Sequence, residues 1–235
     1  MEEILRGGLQ AMGIEASEEA VSLMARYGAL LLERNAVVNL TAIREPEAAA
    51  RLHFLDSAAL LTAADLPEGE VLDVGSGPGF PGVPLRILRP GLRLTTVDSV
   101  GKKVDFVREA CAALGLTDVT CLWGRVEELS ALRERFPAVV SRAVAELDVL
   151  AELCLPQVKP GGLFVAMKGP DCEDEVERSD FAIQALGGRL RDIRRYTIPG
   201  TEVTHAAVIV EKVKPTPPQY PRRYAQIRKK PLGQS

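Results

Sequence analysis

The chain has 235 residues, 46% hydrophobic and 26% charged with a net charge of −3, which matches globular norms for one α/β domain. No apolar run approaches the roughly 18 residues of a membrane-spanning helix, so no membrane association is expected. Cys111, Cys121, Cys154 and Cys172 lack metal-type spacing and only two histidines are present, His53 and His205, so a histidine-rich metal site is excluded and no metal is expected.

The first residues, Met1-Glu-Glu-Ile-Leu-Arg6, lack the basic start and apolar stretch of a signal peptide, which predicts a cytoplasmic protein with reduced thiols. Ser17 is a good N-cap followed by Glu18 and Glu19, and Ala20, Met24, Tyr27 and Leu31 give a helix-spaced apolar face. Residues 1–69 therefore read as a helical extension that packs onto a sheet formed by the rest of the chain. His53 and Asp56 lie three apart on a predicted helix and pair across one turn on the simplest reading.

From residue 70 strands and helices alternate, which implies a mostly parallel sheet with helices on both faces. Strands are predicted at 70–74, 92–98, 119–123, 138–143, 162–168, 189–198 and 205–213. Helices are predicted near 81–88, 101–114, 125–135, 147–156 and 171–186. Pro199-Gly-Thr-Glu202 joins the last two strands as a hairpin and makes one of them antiparallel. The core thus spans 70–213, with a tail over 214–235.

The first strand ends in Asp73 and breaks into Gly75, Gly77 and Gly79 before a helix start at Pro81. Glycine reaches positive φ and lets bare backbone press on a ligand. Two patterns fit. Gly77, Gly79 and Gly82 satisfy G-x-G-x-x-G, with Asp98 about 20 residues on, as a dinucleotide site asks. Read from Asp73, D-x-G-x-G-x-G suits S-adenosyl-L-methionine. Pro78 and Pro81 remove N–H groups that a pyrophosphate needs. Asp73 at the mouth of the loop repels phosphate and suits a sulfonium and an ammonium, so S-adenosylmethionine is favoured over the dinucleotide and over a plain glycine turn.

Asp98, at the end of the second strand, is placed to accept from both ribose hydroxyls. After the third strand, Val126 offers apolar contact and Glu127 a polar contact to an adenine. Glu127 and Glu128 are also suited to complement a helix dipole. Lys102 and Lys103 oppose the dipole of the next helix, which a phosphate would offset; a solvated lysine pair is the alternative. From Lys212 onward there are seven cations and no acid, which leaves −10 on residues 1–211. With Tyr220 and Tyr224 interleaved, the tail reads as an RNA-contacting extension, as a solubilising charge run, or as a segment whose Tyr220 to Leu232 packs back onto the sheet and helps hold the fold.

The chain resembles the bacterial small-subunit ribosomal RNA guanine-N7 methyltransferases, the RsmG or glucose-inhibited division protein B family. The resemblance rests on Asn39-Leu-Thr41, His53-Phe-Leu-Asp-Ser57, the Asp73–Leu85 loop, Val97-Asp-Ser99 with Lys102-Lys103, Arg125-Val-Glu127, Ser141-Arg-Ala-Val-Ala145, Met167-Lys-Gly169 and Tyr220-Pro-Arg-Arg223. It implies a seven-stranded Rossmann-like methyltransferase sheet with an N-terminal helical extension. It also implies an enzyme, expected as a monomer, that methylates N7 of one guanosine in the decoding-region loop of 16S rRNA, whether as naked RNA or a small-subunit precursor. By position, the resemblance assigns Gly75, Phe80, Asp98, Ser99, Val126, Glu127 and Arg142 to the cofactor, with Asp73, Gly77 and Gly79 in the same loop signature. Arg142 is also the residue expected to orient the reacting groups, through guanine O6 or the methionine carboxylate, unless it is only a structural ion pair. RNA-contact candidates are Asn39, His53, Lys102, Lys103, Lys168, Arg222 and Arg223. Guanine N7 carries an in-plane lone pair, so no general base is expected, and catalysis rests on in-line positioning.

Overall fold

A computed structural model describes residues 1–142 and 145–234; Ala143 and Val144, inside the Ser141–Ala145 motif, and Ser235 lie outside the described residues. Seven strands form one sheet: β1 (Glu70–Val74), β2 (Arg93–Asp98), β3 (Val119–Trp123), β4 (Phe136–Arg142), β5 (Val158–Lys168), β6 (Gly188–Thr197) and β7 (Thr204–Lys212). Their order is β3-β2-β1-β4-β5-β7-β6. β3, β2, β1, β4 and β5 run parallel, whereas β7 is antiparallel to both β5 and β6, as the predicted hairpin requires.

The central strands are apolar on both sides, so each face of the sheet builds its own core. Val71, Leu94, Ala138, Val140, Val165 and Ile209 point into one core, and Leu72, Val97, Val139, Phe164 and Val208 into the other. The first core is covered by α1 (Glu2–Ala11), α2 (Glu18–Val38), a segment of short turns over 46–63, α6 (Gly82–Leu88) and α7 (Gly101–Ala113). That segment comprises α3 (Pro46–Ala49), a π-helical turn (Ala50–Leu55), α4 (Asp56–Ala58) and α5 (Leu60–Ala63). The second core is covered by α8 (Leu147–Cys154), α9 (Glu173–Ala185) and the tail helix α10 (Tyr224–Lys229).

Ser17 caps α2 as its sequence predicts, its side chain accepting from the Ala20 amide at 3.1 Å. The Tyr27 side chain on that helix is fully buried, and its hydroxyl donates to the Pro78 carbonyl at 3.0 Å. The N-terminal extension thus buttresses the glycine loop from beneath. No helix among the described residues is long and apolar enough to cross a membrane.

One expectation is corrected and one choice between alternatives is decided. The helix predicted near 125–135 is a pair of 3-10 turns, Val126–Glu128 and Ser130–Leu132. The Glu134 and Arg135 amides, which a continuing helix would claim, donate instead to the carbonyls of Pro156 and Gln157. The tail is not a free basic arm. Tyr220, Tyr224, Ile227 and Leu232 pack on the second core, and the Arg133 guanidinium donates to the carbonyls of Thr216 and Tyr220, both at 2.6 Å. Its sequence is cationic, but its apolar residues recur every three to five positions and bury together.

Candidate functional site

Two cavities open along the C-terminal edge of the parallel strands, on either side of the β1–β4 junction where the strand order reverses. Ligands of open α/β sheets bind at such a crevice. The first cavity, about 330 Å³, is floored by Val74, Gly75, Val97, Asp98 and Ser99 and walled by Val100, Lys103, Gly124, Arg125, Val126, Glu127, Leu153 and Tyr224. Five of the predicted cofactor residues, Gly75, Asp98, Ser99, Val126 and Glu127, therefore converge on one space.

Asp98 does two jobs at the floor. Its Oδ2 accepts from the Gly77 amide and its Oδ1 from the Val100 amide, both at 2.8 Å, which fixes the loop and the start of α7 around the carboxylate. Each oxygen retains capacity for a further donor. Glu127 is the other acid of the cavity. Its side chain is 3% exposed, and Oε1 has no hydrogen-bond partner. Burial raises its pKa above the usual carboxylate range, ahead of opposing help from backbone amides and Arg125. A buried acceptor with no hydrogen bond, only the Arg125 charge at 4.0 Å, beside apolar Val126 fits an exocyclic amine on an adenine.

The glycine loop settles the competition between ligands. Gly75, Gly77 and Gly79 all have positive φ, as the sharp turn demands. The Gly75 and Ser76 amides donate to the Val97 carbonyl, Gly77 to Asp98, Gly79 and Phe80 to the Ser76 carbonyl, and Gly82 to Asp73. Pro78 and Pro81 have no N–H to give. Every loop amide is already used. A pyrophosphate, which needs free amides, has none here.

Asp73 does not stand at the loop's mouth, which corrects the expectation drawn from its charge. It is fully buried beneath the loop, where Oδ2 accepts from the Gly82 amide at 2.7 Å and Oδ1 has no partner. Burial pushes its carboxyl up to about 7, against the opposing Gly82 hydrogen bond. It supports the turn into α6 and lines neither cavity. Gly79 is equally structural: a Cβ there would lie 2.5 Å from the Tyr27 hydroxyl.

Arg142 belongs to the second cavity, whose lining includes Leu52, His53, Asp56, Arg142, Met167, Lys168, Gly169 and His205. The π-helical turn brings His53 and Asp56 to one guanidinium, and they do not pair with each other across a turn as predicted. Arg142 Nη1 donates to Asp56 Oδ2 at 2.9 Å and to the Leu52 carbonyl at 3.1 Å, and Nη2 donates to His53 Nδ1 at 3.1 Å. Since arginine only donates, His53 Nδ1 is the acceptor, and its Nε2–H donates to Thr41 Oγ1 at 2.9 Å. Burial, then the Arg142 charge, lowers the His53 pKa to about 3, so the ring is neutral.

The remaining oxygen of Asp56 accepts from Tyr196 at 3.0 Å and His205 at 2.8 Å. Burial pushes the Asp56 carboxyl up, but His205 and Arg142 outweigh it and hold the pKa below the usual value. Phe80 stacks on His53 with centroids 4.6 Å apart, and Arg142 lies 5.3 Å over its ring. The Phe80 side chain, 2% exposed, therefore backs this network instead of lining the first cavity.

Several candidate contacts are placed elsewhere. Asn39 is the left-handed C-cap of α2 and lines neither cavity; Asn35 beside it is the working amide, its Oδ1 accepting from Leu40 and Thr41 and so placing Thr41 for His53. Lys168 reaches the second cavity but is tied to Glu175 at 2.5 Å. Arg222 is a correction: it makes a two-pronged ion pair with buried Glu152, at 2.6 and 2.8 Å, and cannot serve RNA without breaking it. Lys103 lines the first cavity, whereas Lys102 and Arg223 are exposed. Sequence reasoning missed Leu153 and Tyr224 on the first cavity, His205 on the second and Tyr196 behind it. Tyr224 carried a signal, an aromatic among cations, and the structure places it on the wall of the first cavity.

The family model described as rRNA small subunit methyltransferase G matches residues 20–201. The chain belongs to that family. Curated members resemble it over nearly full length: a ribosomal RNA small subunit methyltransferase G of Pelotomaculum thermopropionicum is 44% identical, covering 98% of each chain. One from Alkaliphilus metalliredigens is 42% identical, covering 97% of this chain and 98% of the relative. Among solved structures, M. jannaschii TYW2 in complex with AdoMet superposes with a TM-score of 0.54 at 16% identity, covering 66% of this chain and 75% of that one. A 16S rRNA adenine-N1 methyltransferase from Catenulisporales acidiphilia gives 0.53 at 18% identity, covering 68% and 91%. These two likenesses speak to the Rossmann-like methyltransferase fold, and family membership rests on the sequence relatives.

Proposed function

We propose that this member of the methyltransferase G family transfers a methyl group from S-adenosylmethionine to N7 of a guanosine in 16S rRNA, in the cytoplasm. The observation that carries the cofactor assignment is the first cavity. It joins a doubly anchored Asp98 to a Glu127 oxygen that accepts no hydrogen bond and has only Arg125 at 4.0 Å, beside a loop with no amide free for phosphate. Asp98 would hold the ribose hydroxyls, and Val126 and Glu127 the adenine. The cofactor, when bound, supplies an electrophilic methyl on a sulfonium.

This chain's own residues then have a positioning task. Guanine N7 attacks with a lone pair and releases no proton, so no base is needed. His53 fits that requirement: it is neutral and both ring nitrogens are engaged within the protein. The second cavity, with Arg142 anchored by Asp56, Leu52 and His53, is the place for the target base, Arg142 facing its O6 edge or the cofactor's carboxylate. Holding the reactants in line is worth up to about 7–11 kcal/mol in favourable cases. The test is methyl transfer from labelled cofactor to small-subunit RNA, deproteinised and in particles, with the modified nucleoside identified by mass. A label on any position other than guanine N7 would overturn the acceptor.

A further inference from the structure

The only tryptophan of the chain, Trp123, is 72% exposed at the end of edge strand β3. Single exposed apolar residues are common on protein surfaces. This indole, however, is held in one orientation. Its Nε1 donates to the Ser99 carbonyl at 3.2 Å, and one side of the ring rests on Gly101, where an added Cβ would lie 3.3 Å from Cε2. The rest of the ring is open to solvent.

The surroundings are cationic. Gly101 opens α7, whose first turn carries Lys102 and Lys103 and no acid. Asp105, the first acid along the helix, is taken by Arg108 at 2.7 Å. Neither lysine makes an ion pair among the described residues. Two cations at a helix N-terminus oppose its dipole, a cost that phosphate groups between them would offset. A fixed aromatic face beside unneutralised cations is the pairing by which proteins hold single-stranded nucleic acid: the ring takes a base and the cations its phosphates.

We propose that Trp123 is a stacking platform for an unpaired base of the RNA substrate, with Lys102 and Lys103 taking the adjoining phosphates. The inference rests on the RNA-methylation reading and adds a contact on the side of the sheet away from Arg142. Trp123 does not line the first cavity, although Lys103 does, so base stacking read at the indole is separable from cofactor binding. A protein partner for the indole is the competing occupant.

Because the tryptophan is unique, its fluorescence reports on this spot alone. Titration with a short single-stranded RNA should quench it, and an abasic ribose-phosphate oligomer of equal length should not. Trp123→Ala should raise KM about tenfold for whichever RNA substrate, free or in particles, the wild type methylates. KM for the cofactor and the melting temperature should stay unchanged, and Trp123→Phe should recover most of the loss. Equal quenching by the abasic oligomer would mean that charge alone acts, and would overturn the platform. Unaltered fluorescence together with an unaltered RNA KM in Trp123→Ala would also overturn it, leave methyl transfer standing, and direct attention to a protein partner. A wild type that transfers no methyl to RNA but whose indole answers only to base-bearing oligomers would keep the platform and remove the activity.

Discussion

Asp56 and Arg142, 86 residues apart in the chain, meet at 2.9 Å in an ion pair that locks the N-terminal turns to the end of β4. The carboxylate is 1% exposed and the guanidinium side chain 15%. Tyr196 and His205 satisfy the other carboxylate oxygen, so one buried acid gathers three segments of the chain. Buried charges are tolerated when paired and hydrogen-bonded, and this pair meets both conditions.

Removing the acid should therefore be severe. Asp56→Ala leaves Arg142 without its counter-charge, and stability should fall by about 3–5 kcal/mol, the range for breaking a buried pair. Urea denaturation measures it. A loss below about 1 kcal/mol would show that Arg142 swings to solvent and that the pair holds nothing.

Asp73 should make stability depend on pH in an unusual direction. Its folded pKa, about 7, lies above its unfolded value near 4. Below pH 4 both states carry the proton; between about 4 and 7 only the folded state does. Unfolding free energy thus falls by about 1.4 kcal/mol per pH unit across that window, roughly 4 kcal/mol in all. Asp73→Asn cannot titrate, so its stability advantage over the wild type should grow from pH 4 to pH 8. Parallel denaturation midpoints for the two proteins across that range would show Asp73 ionised throughout.

Asp98→Ala should weaken binding of S-adenosylhomocysteine by about 1.5–3 kcal/mol, the range for hydrogen bonds to a charged group. The same change frees the Gly77 and Val100 amides, so a cofactor-independent drop in melting temperature should accompany it. Calorimetry showing unchanged affinity in a folded variant would take Asp98 out of the site.

Truncation after Val213 should damage both fold and cofactor binding. It strands Glu152, which is wholly buried and paired with Arg222, and it removes Tyr224 from the wall of the first cavity. The melting temperature and S-adenosylhomocysteine affinity should fall together. A truncated protein with full affinity for the cofactor would show that Tyr224 contributes nothing there. Tyr224→Ala, read by the same calorimetry, isolates the cavity contact from the loss of fold.

The sequence by itself determined the elements whose signals are local. The β-branched runs ending in Asp73 and Asp98, the Ser17 cap and the Pro199–Glu202 hairpin each depend on neighbours within a few residues, and all formed as their composition dictates. The glycine loop was legible for the same reason, since positive φ at Gly75, Gly77 and Gly79 is a property of single residues. Val126 and Glu127 were found at the cavity because a parallel sheet brings the ends of consecutive strands together.

Only the tertiary structure decided what charged side chains do, because pairing and burial are set by residues far apart in the chain. Asp73 reads as an exposed acid and is buried beneath its own loop. Arg222 reads as an RNA ligand and is bound to Glu152, 70 residues away. The meeting of His53, Asp56, Arg142, Tyr196 and His205 draws on four places in the sequence. A charge's partner depends on the chain's closure over it, and no spacing rule extends that far.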